Sequence, residues 1–216
     1  MSKLERIYFS IVEWGVYIAL FTPLVLFRTW FFPYVSPKTI FFRIIVDIIF
    51  IAYILLVVSN RRYLPKINAL TISVTVFIGV LFLTSLTGIN FAKSFWSTFE
   101  RMTGLLTFFH LYAFFIILTS VFQERKYWER ILTVSIIAGI LVSLYALLSK
   151  DPTSRSGGTI GNISFLATYL SFNVFFAIIL FFIKQGAWRI FYALSFGVMM
   201  LSLFPDVAEL ELAPGG

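Results

Sequence analysis

A chain of 216 residues that is 60% hydrophobic and 12% charged, with a mean hydropathy of +0.94, has too little charged surface for a soluble domain of its size. Its net charge of +7 arises from 17 Lys and Arg against 10 Asp and Glu. The basic residues stand at the ends of apolar runs, where they anchor helices among lipid headgroups, and form no cluster that tracks a phosphate backbone, which excludes nucleic-acid binding. With no Cys, disulfide, thiolate-metal and thiol redox chemistry are excluded as well.

A bilayer core about 30 Å thick takes roughly 20 apolar residues as a helix. The sequence therefore predicts an all-α, polytopic transmembrane bundle of about seven spans: Ile7–Phe27, Ile40–Val58, Asn68–Leu86, Thr103–Phe122, Trp128–Leu148, Ile163–Ile183 and Ala187–Phe204. Taken in order, the first run carries Glu13 and Pro23 and no small-residue cleavage pattern follows it, so it reads as a retained helix and not a signal peptide. Glu13 is expected to find its partner on another helix. The second run holds Arg43 and Asp47, four apart on one helical face near its outer end, and predicts an intramembrane ion pair. After the third run comes an aromatic stretch, Phe95-Trp96-Ser97-Thr98-Phe99, and then Glu100 and Arg101 at the mouth of the fourth span. His110, the one histidine, lies nine residues beyond Arg101, roughly 13 Å deeper. It is expected to hydrogen-bond a neighbouring helix.

Between the fifth and sixth runs, 150–162 is the most polar stretch before the tail. Gly157, Gly158 and Gly161 allow close backbone approach, Asn162 is placed to cap the sixth span, and Arg155 stands nearby. An outward-facing anion site and a plain helix-start turn both fit this spacing. It is not a nucleotide-binding P-loop, because no Lys-Ser/Thr follows the last glycine. Asn162-Ile163-Ser164 matches a glycosylation acceptor but abuts the membrane. The tail 205–216 adds Asp206, Glu209 and Glu211 and ends on Ala-Pro-Gly-Gly. It reads as a truncation or frame-shift product behind a transmembrane domain over 1–204.

Counted on alternate sides, ten Lys and Arg fall with the amino terminus and seven opposite, which places that terminus in the cytoplasm. The outer connections are the longer ones and carry interfacial rings such as Trp30, Tyr34 and Trp96. On that side Arg43, Asp47, Arg101 and Arg155 are expected to share a pocket that suits a pyrophosphate, since guanidinium groups bind phosphate oxygens in pairs.

Two stretches carry a family resemblance: Ser94 through Leu105 with His110 after it, and Arg155 through Gly161-Asn162 into Phe165-Leu166-Ala167-Thr168-Tyr169-Leu170. Together they resemble the bacterial O-antigen ligase and polymerase family, polytopic inner-membrane enzymes of about a dozen helices. These transfer a glycan from undecaprenyl diphosphate to an acceptor on the periplasmic side. The resemblance implies lipopolysaccharide or other cell-envelope polysaccharide biosynthesis, glycosyl transfer without metal or nucleotide cofactor, and an undecaprenyl-diphosphate-linked glycan as partner in the bilayer. It makes Arg155, then Arg101, the diphosphate contacts, with Gly161 and Asn162 beside them, and assigns no catalytic residue. Family members continue past the seventh span with further helices and a periplasmic loop bearing a required histidine and arginine, so this chain is expected to be an amino-terminal part, inactive alone. Two other classes compete: a transporter or flippase for a lipid-linked substrate, which favours broken helices at the midplane, and a non-catalytic packing subunit, which favours small-residue stripes.

Overall fold

The computed structural model describes residues 2–149 and 157–203, which hold eight α-helices, two 3-10 turns and no strand. The helices are α1 (Lys3–Ala19), α2 (Ser36–Ser59), α3 (Ala69–Thr87), α4 (Phe91–Trp96), α5 (Leu105–Val121), α6 (Arg125–Leu148), α7 (Ile163–Ile183) and α8 (Ala187–Leu203). Four of them, α2, α3, α6 and α7, are long and apolar enough to cross a membrane; α5 and α8 are apolar but only 17 residues long. The protein is an all-helical, membrane-embedded bundle. The tail 205–216 and Arg155 lie outside the described residues.

Several helix ends differ from the sequence expectation for local reasons. The first helix stops at Ala19 instead of running to Phe27, because Pro23 lacks an amide hydrogen and its ring crowds the preceding turn. The chain passes into the 3-10 turn Thr22–Leu24, and the Thr22 hydroxyl donates to the freed Ala19 carbonyl at 2.6 Å. The second helix starts at Ser36, with Pro37 in its first turn, four residues before the expected Ile40. That extension leaves eleven residues of α2 before Asp47 and twelve after it, so Asp47 sits at mid-helix and not near an end. Only Phe95 and Trp96 of the aromatic stretch before the fourth span are helical, as the end of α4, whose Asn90 cap accepts from the Lys93 amide at 3.0 Å.

The chain packs as two compact units, Met1–Thr22 with Phe27–Tyr127 and Pro23–Leu26 with Trp128–Gly216, each described by itself. In the first unit α1 lies along α2, with Gly15 against Ile49, and α2 and α3 both meet α5. The start of α1 is tied to the end of α2: Ser2 and Glu5 form a reciprocal capping box, and the Asn60 side-chain amide donates to Glu5 Oε1 at 3.1 Å. Next to this tie the Phe9 ring meets Tyr63, Phe122 and Tyr127 with centroids 5.5–6.3 Å apart, and Tyr53 donates to the Tyr63 carbonyl at 3.1 Å. Burial there pushes the Tyr63 hydroxyl up from its ordinary value. Among the long helices α3 is the least covered, with Ile78 its one buried residue.

The second unit is built on α6, α7 and α8, around Ile136, Val142, Leu170, Ala177, Tyr192 and Met199. Small residues at i, i+4 and i+8 on α6, Ser135, Gly139 and Ser143, allow close approach. A Cβ on Gly139 would stand 3.1 Å from Asn173 Cγ and 3.2 Å from Met199 Sδ. Within that contact the Ser135 hydroxyl donates to Asn173 Oδ1 at 2.8 Å, and Asn173 Nδ2 donates to the Tyr169 carbonyl at 2.9 Å. Lys184, just past α7, donates to Glu129 of α6 at 2.6 Å and joins the opposite ends of two antiparallel helices.

Candidate functional site

Arg43, Asp47 and His110 gather where α2 meets α5. Arg43 Nη2 donates to Thr107 Oγ1 at 2.6 Å and to the Met102 carbonyl at 3.3 Å, and its buried Nε has no hydrogen-bond partner among the described residues. Asp47, one turn further along α2, has its oxygen Oδ1 3.2 Å from His110 Nε2. The expected pairing of Arg43 with Asp47 is thus replaced, in direct contacts, by two links from α2 to α5 and the loop before it. Both partners lie some sixty residues away in sequence, where helical spacing gives no sign of them. His110 does bond a neighbouring helix, and its Nδ1 stands 2.6 Å from the Leu106 carbonyl of its own helix. Glu13 finds a partner on its own helix: the Tyr17 hydroxyl, one turn on, donates to it at 2.8 Å.

Below the Asp47–His110 contact, toward the start of α3, lies a cavity of about 460 Å³. Its walls are mostly apolar, with Phe50, Phe109 and Ile116 prominent, and its polar edge is Asp47, His110, Tyr112 and Thr71. The Tyr112 hydroxyl is 2.8 Å from Thr75 Oγ1 of α3, the hydroxyl contact that links these two helices.

On the other side of Arg43 the segment 97–104 is held at defined points. Ser36 Oγ donates to the Phe99 carbonyl at 3.2 Å, Arg43 to that of Met102, and the Phe99 ring meets Phe32 edge-on at 6.1 Å. The backbone is strained: Ser97 lies at φ 66°, ψ −173°, a region occupied almost only by glycine, and Met102 at φ 49°. Such conformations cost on the order of 1–3 kcal/mol each and persist only where the surroundings over-determine them. Gly104 is required here, since a Cβ would stand 2.7 Å from the Ser97 nitrogen. Glu100 and Arg101 occupy the tip of this fixed loop with exposed side chains.

In the second unit Gly158 (φ 54°) and Gly161 (φ 83°) shape the turn that starts α7. The Asn162 side-chain oxygen Oδ1 accepts from the Ser164 and Phe165 amides at 2.9 and 3.3 Å. Asn162 is therefore the helix cap that its position suggested, and it already occupies two of the amide donors an anion would need. Arg101 belongs to the first unit, Gly161 and Asn162 to the second.

Fold and site define a polytopic helical membrane protein with an ionisable cluster inside the bilayer and a rigid, charge-bearing loop at one end of its first unit. Compared with family models, with curated proteins and with solved structures, the chain matches none.

Proposed function

We propose that this chain is the part of a bacterial inner-membrane glycan ligase or polymerase that holds an undecaprenyl-diphosphate donor, with its amino terminus in the cytoplasm. The observation that carries the reading is the loop 97–104: α2 fixes its backbone in a strained form while Arg101 stays exposed at the tip. A preorganised guanidinium binds a diphosphate without first losing loop entropy, and this loop lies within a stretch that resembles the ligases.

Binding of a polyprenyl diphosphate to the protein in lipid nanodiscs tests this. Arg101→Ala weakens binding by about tenfold or more, Arg101→Lys restores part of it, since an ammonium is a point charge without the fork, and Glu100→Gln does not weaken it. Equal binding by wild type and Arg101→Ala overturns the assignment. Orientation is tested separately, and the absence of native cysteine makes single-cysteine labelling clean. A cysteine at Ile89, between α3 and α4, is expected to react from the periplasm, and one at Arg62 from the cytoplasm.

One observation favours a second reading, a transporter or flippase for an amphipathic lipid-linked substrate: a mid-helix carboxylate on the wall of an apolar cavity. Movement of a fluorescent polyprenyl lipid between leaflets, without glycan transfer, distinguishes it from the first.

A further inference from the structure

We propose that Asp47 and His110 form an intramembrane proton-binding site, loaded through the cavity from the end of the first unit where α3 begins and closed toward the opposite end by Arg43. The inference does not rest on either reading above.

The proton follows from hydrogen-bond valence. A carbonyl oxygen only accepts, so the 2.6 Å contact between His110 Nδ1 and the Leu106 carbonyl places a hydrogen on Nδ1. A neutral imidazole with its hydrogen there presents a bare lone pair at Nε2. An ionised carboxylate likewise presents only lone pairs, and two acceptors 3.2 Å apart repel. The contact therefore contains one proton, on Nε2 with Asp47 as carboxylate, or on Oδ1 with the imidazole neutral. Both arrangements add one hydrogen to the pair relative to the deprotonated state, and moving between them needs no other reactant. The site lies at mid-helix on α2, where a lone carboxylate is costly and a shared proton offsets the cost.

The two partners differ in exposure. His110 is largely covered, with 12% of its side chain exposed, whereas the Asp47 side chain is 65% exposed and stands on the cavity wall. The cavity reaches Thr71 in the first turn of α3 and Pro65 in the connection before it. Hydroxyl groups of Thr71 and Tyr112 along its edge are suited to carry a proton through bound water. Toward the start of α2 the next polar group is the Arg43 guanidinium, fixed on Thr107 and Met102. A fixed positive charge is a barrier to protons, as in selective water pores.

Other ionisable groups on the packed elements are few. Helix α3 has none along its length and α4 has Lys93; within α1 Glu13 accepts from Tyr17; Arg61, Arg62 and Tyr63 stand past the far end of α2. On α2 and α5 themselves Arg43 flanks the pair, Lys38 and Tyr53 lie toward the two ends of α2, and Tyr112 lines the cavity. Because the contact joins α2 to α5, taking up or losing its proton changes how firmly these helices are tied at that depth.

His110 is the only histidine, so ¹⁵N-histidine labelling of the full chain in lipid vesicles gives one ring to observe by solid-state NMR. Nδ1 is expected to be protonated, with one further proton on Nε2 or on the Asp47 carboxyl, read together from ring ¹⁵N and ¹³C-aspartate signals. Asp47→Asn assigns the carboxyl signal and removes the shared proton. A wild-type spectrum with Nδ1 bare, or with Nε2 bare and Asp47 ionised, overturns the proposal without any variant. Filling the cavity with Ala113→Trp, or with Thr71→Trp at its lip, is expected to slow deuterium uptake at the contact by about tenfold or more. An unchanged rate in a folded plug variant overturns the access route.

Discussion

Gly15→Ala is expected to destabilise the first unit by about 1–3 kcal/mol, the range for forcing extra volume into a packed contact. A Cβ at Gly15 runs into Cγ2 of Ile49, which is fully buried and, as a β-branched residue in a helix, has little freedom to turn aside. Relief requires α1 to move off α2, and with it the ties between Glu5 and Asn60 and among Phe9, Tyr63 and Tyr127. Gly79→Ala and Gly197→Ala are the controls, because nothing lies within 4 Å of a Cβ at either position. Thermal unfolding in detergent should separate them clearly. In an Ile49→Ala background the cost of Gly15→Ala should largely vanish, since the obstructing methyl is gone; an undiminished cost would place the damage elsewhere.

Arg43→Leu should release the loop 97–104 with little effect on the length of α2. The substitution removes both guanidinium hydrogen bonds, about 1.5–3 kcal/mol each for bonds to a charged donor, and with them the grip that keeps Met102 at positive φ. Amide exchange at Arg101 and Met102, whose N–H groups both bond to the Thr98 carbonyl, should accelerate by about tenfold or more. Amides in the middle of α7, in the other unit, serve as the reference and should not change. Arg43→Lys should restore part of the protection, because both bonds come from the one nitrogen Nη2 and an ammonium can donate to Thr107 and the Met102 carbonyl together. Unaltered exchange in Arg43→Leu would mean that Ser36, Phe32 and the Thr107 hydroxyl, which donates to the Met102 carbonyl at 2.6 Å, hold the loop by themselves.

The helical, membrane-embedded character was legible because hydropathy over some twenty residues is a property of local sequence. The span Ile163–Ile183 was read to the residue, helped by the Asn162 cap before it. What escaped depends on distant partners or on backbone detail. Arg43 and Asp47 share a helical face, which made their mutual pairing the natural expectation, yet their direct contacts are Thr107, Met102 and His110, a relation no periodicity encodes. Pro23 was visible and should have ended the first helix early. Asn90, a strong cap three residues before Lys93, was a usable sign of α4 that the aromatic composition obscured. The left-handed backbone at Ser97 and Met102 has no sequence signal, because neither residue favours it.

The separation between Arg43 and Thr107 also bears on how the protein is made. An aspartate near the centre of a helix adds about 2.5–3.5 kcal/mol to the cost of entering the bilayer, and α2 carries Asp47 there with Arg43 one turn nearer its start. The groups that satisfy them sit on α5, 64 residues later for the Arg43–Thr107 contact. At about 5–20 residues per second of synthesis, α2 waits several seconds for those partners. During that interval its many Ile, Leu, Val and Phe residues must hold it in place, or it must remain beside the insertion machinery until α5 arrives. Shortening or lengthening the chain between the two helices would change that waiting time without touching a single contact of the finished protein.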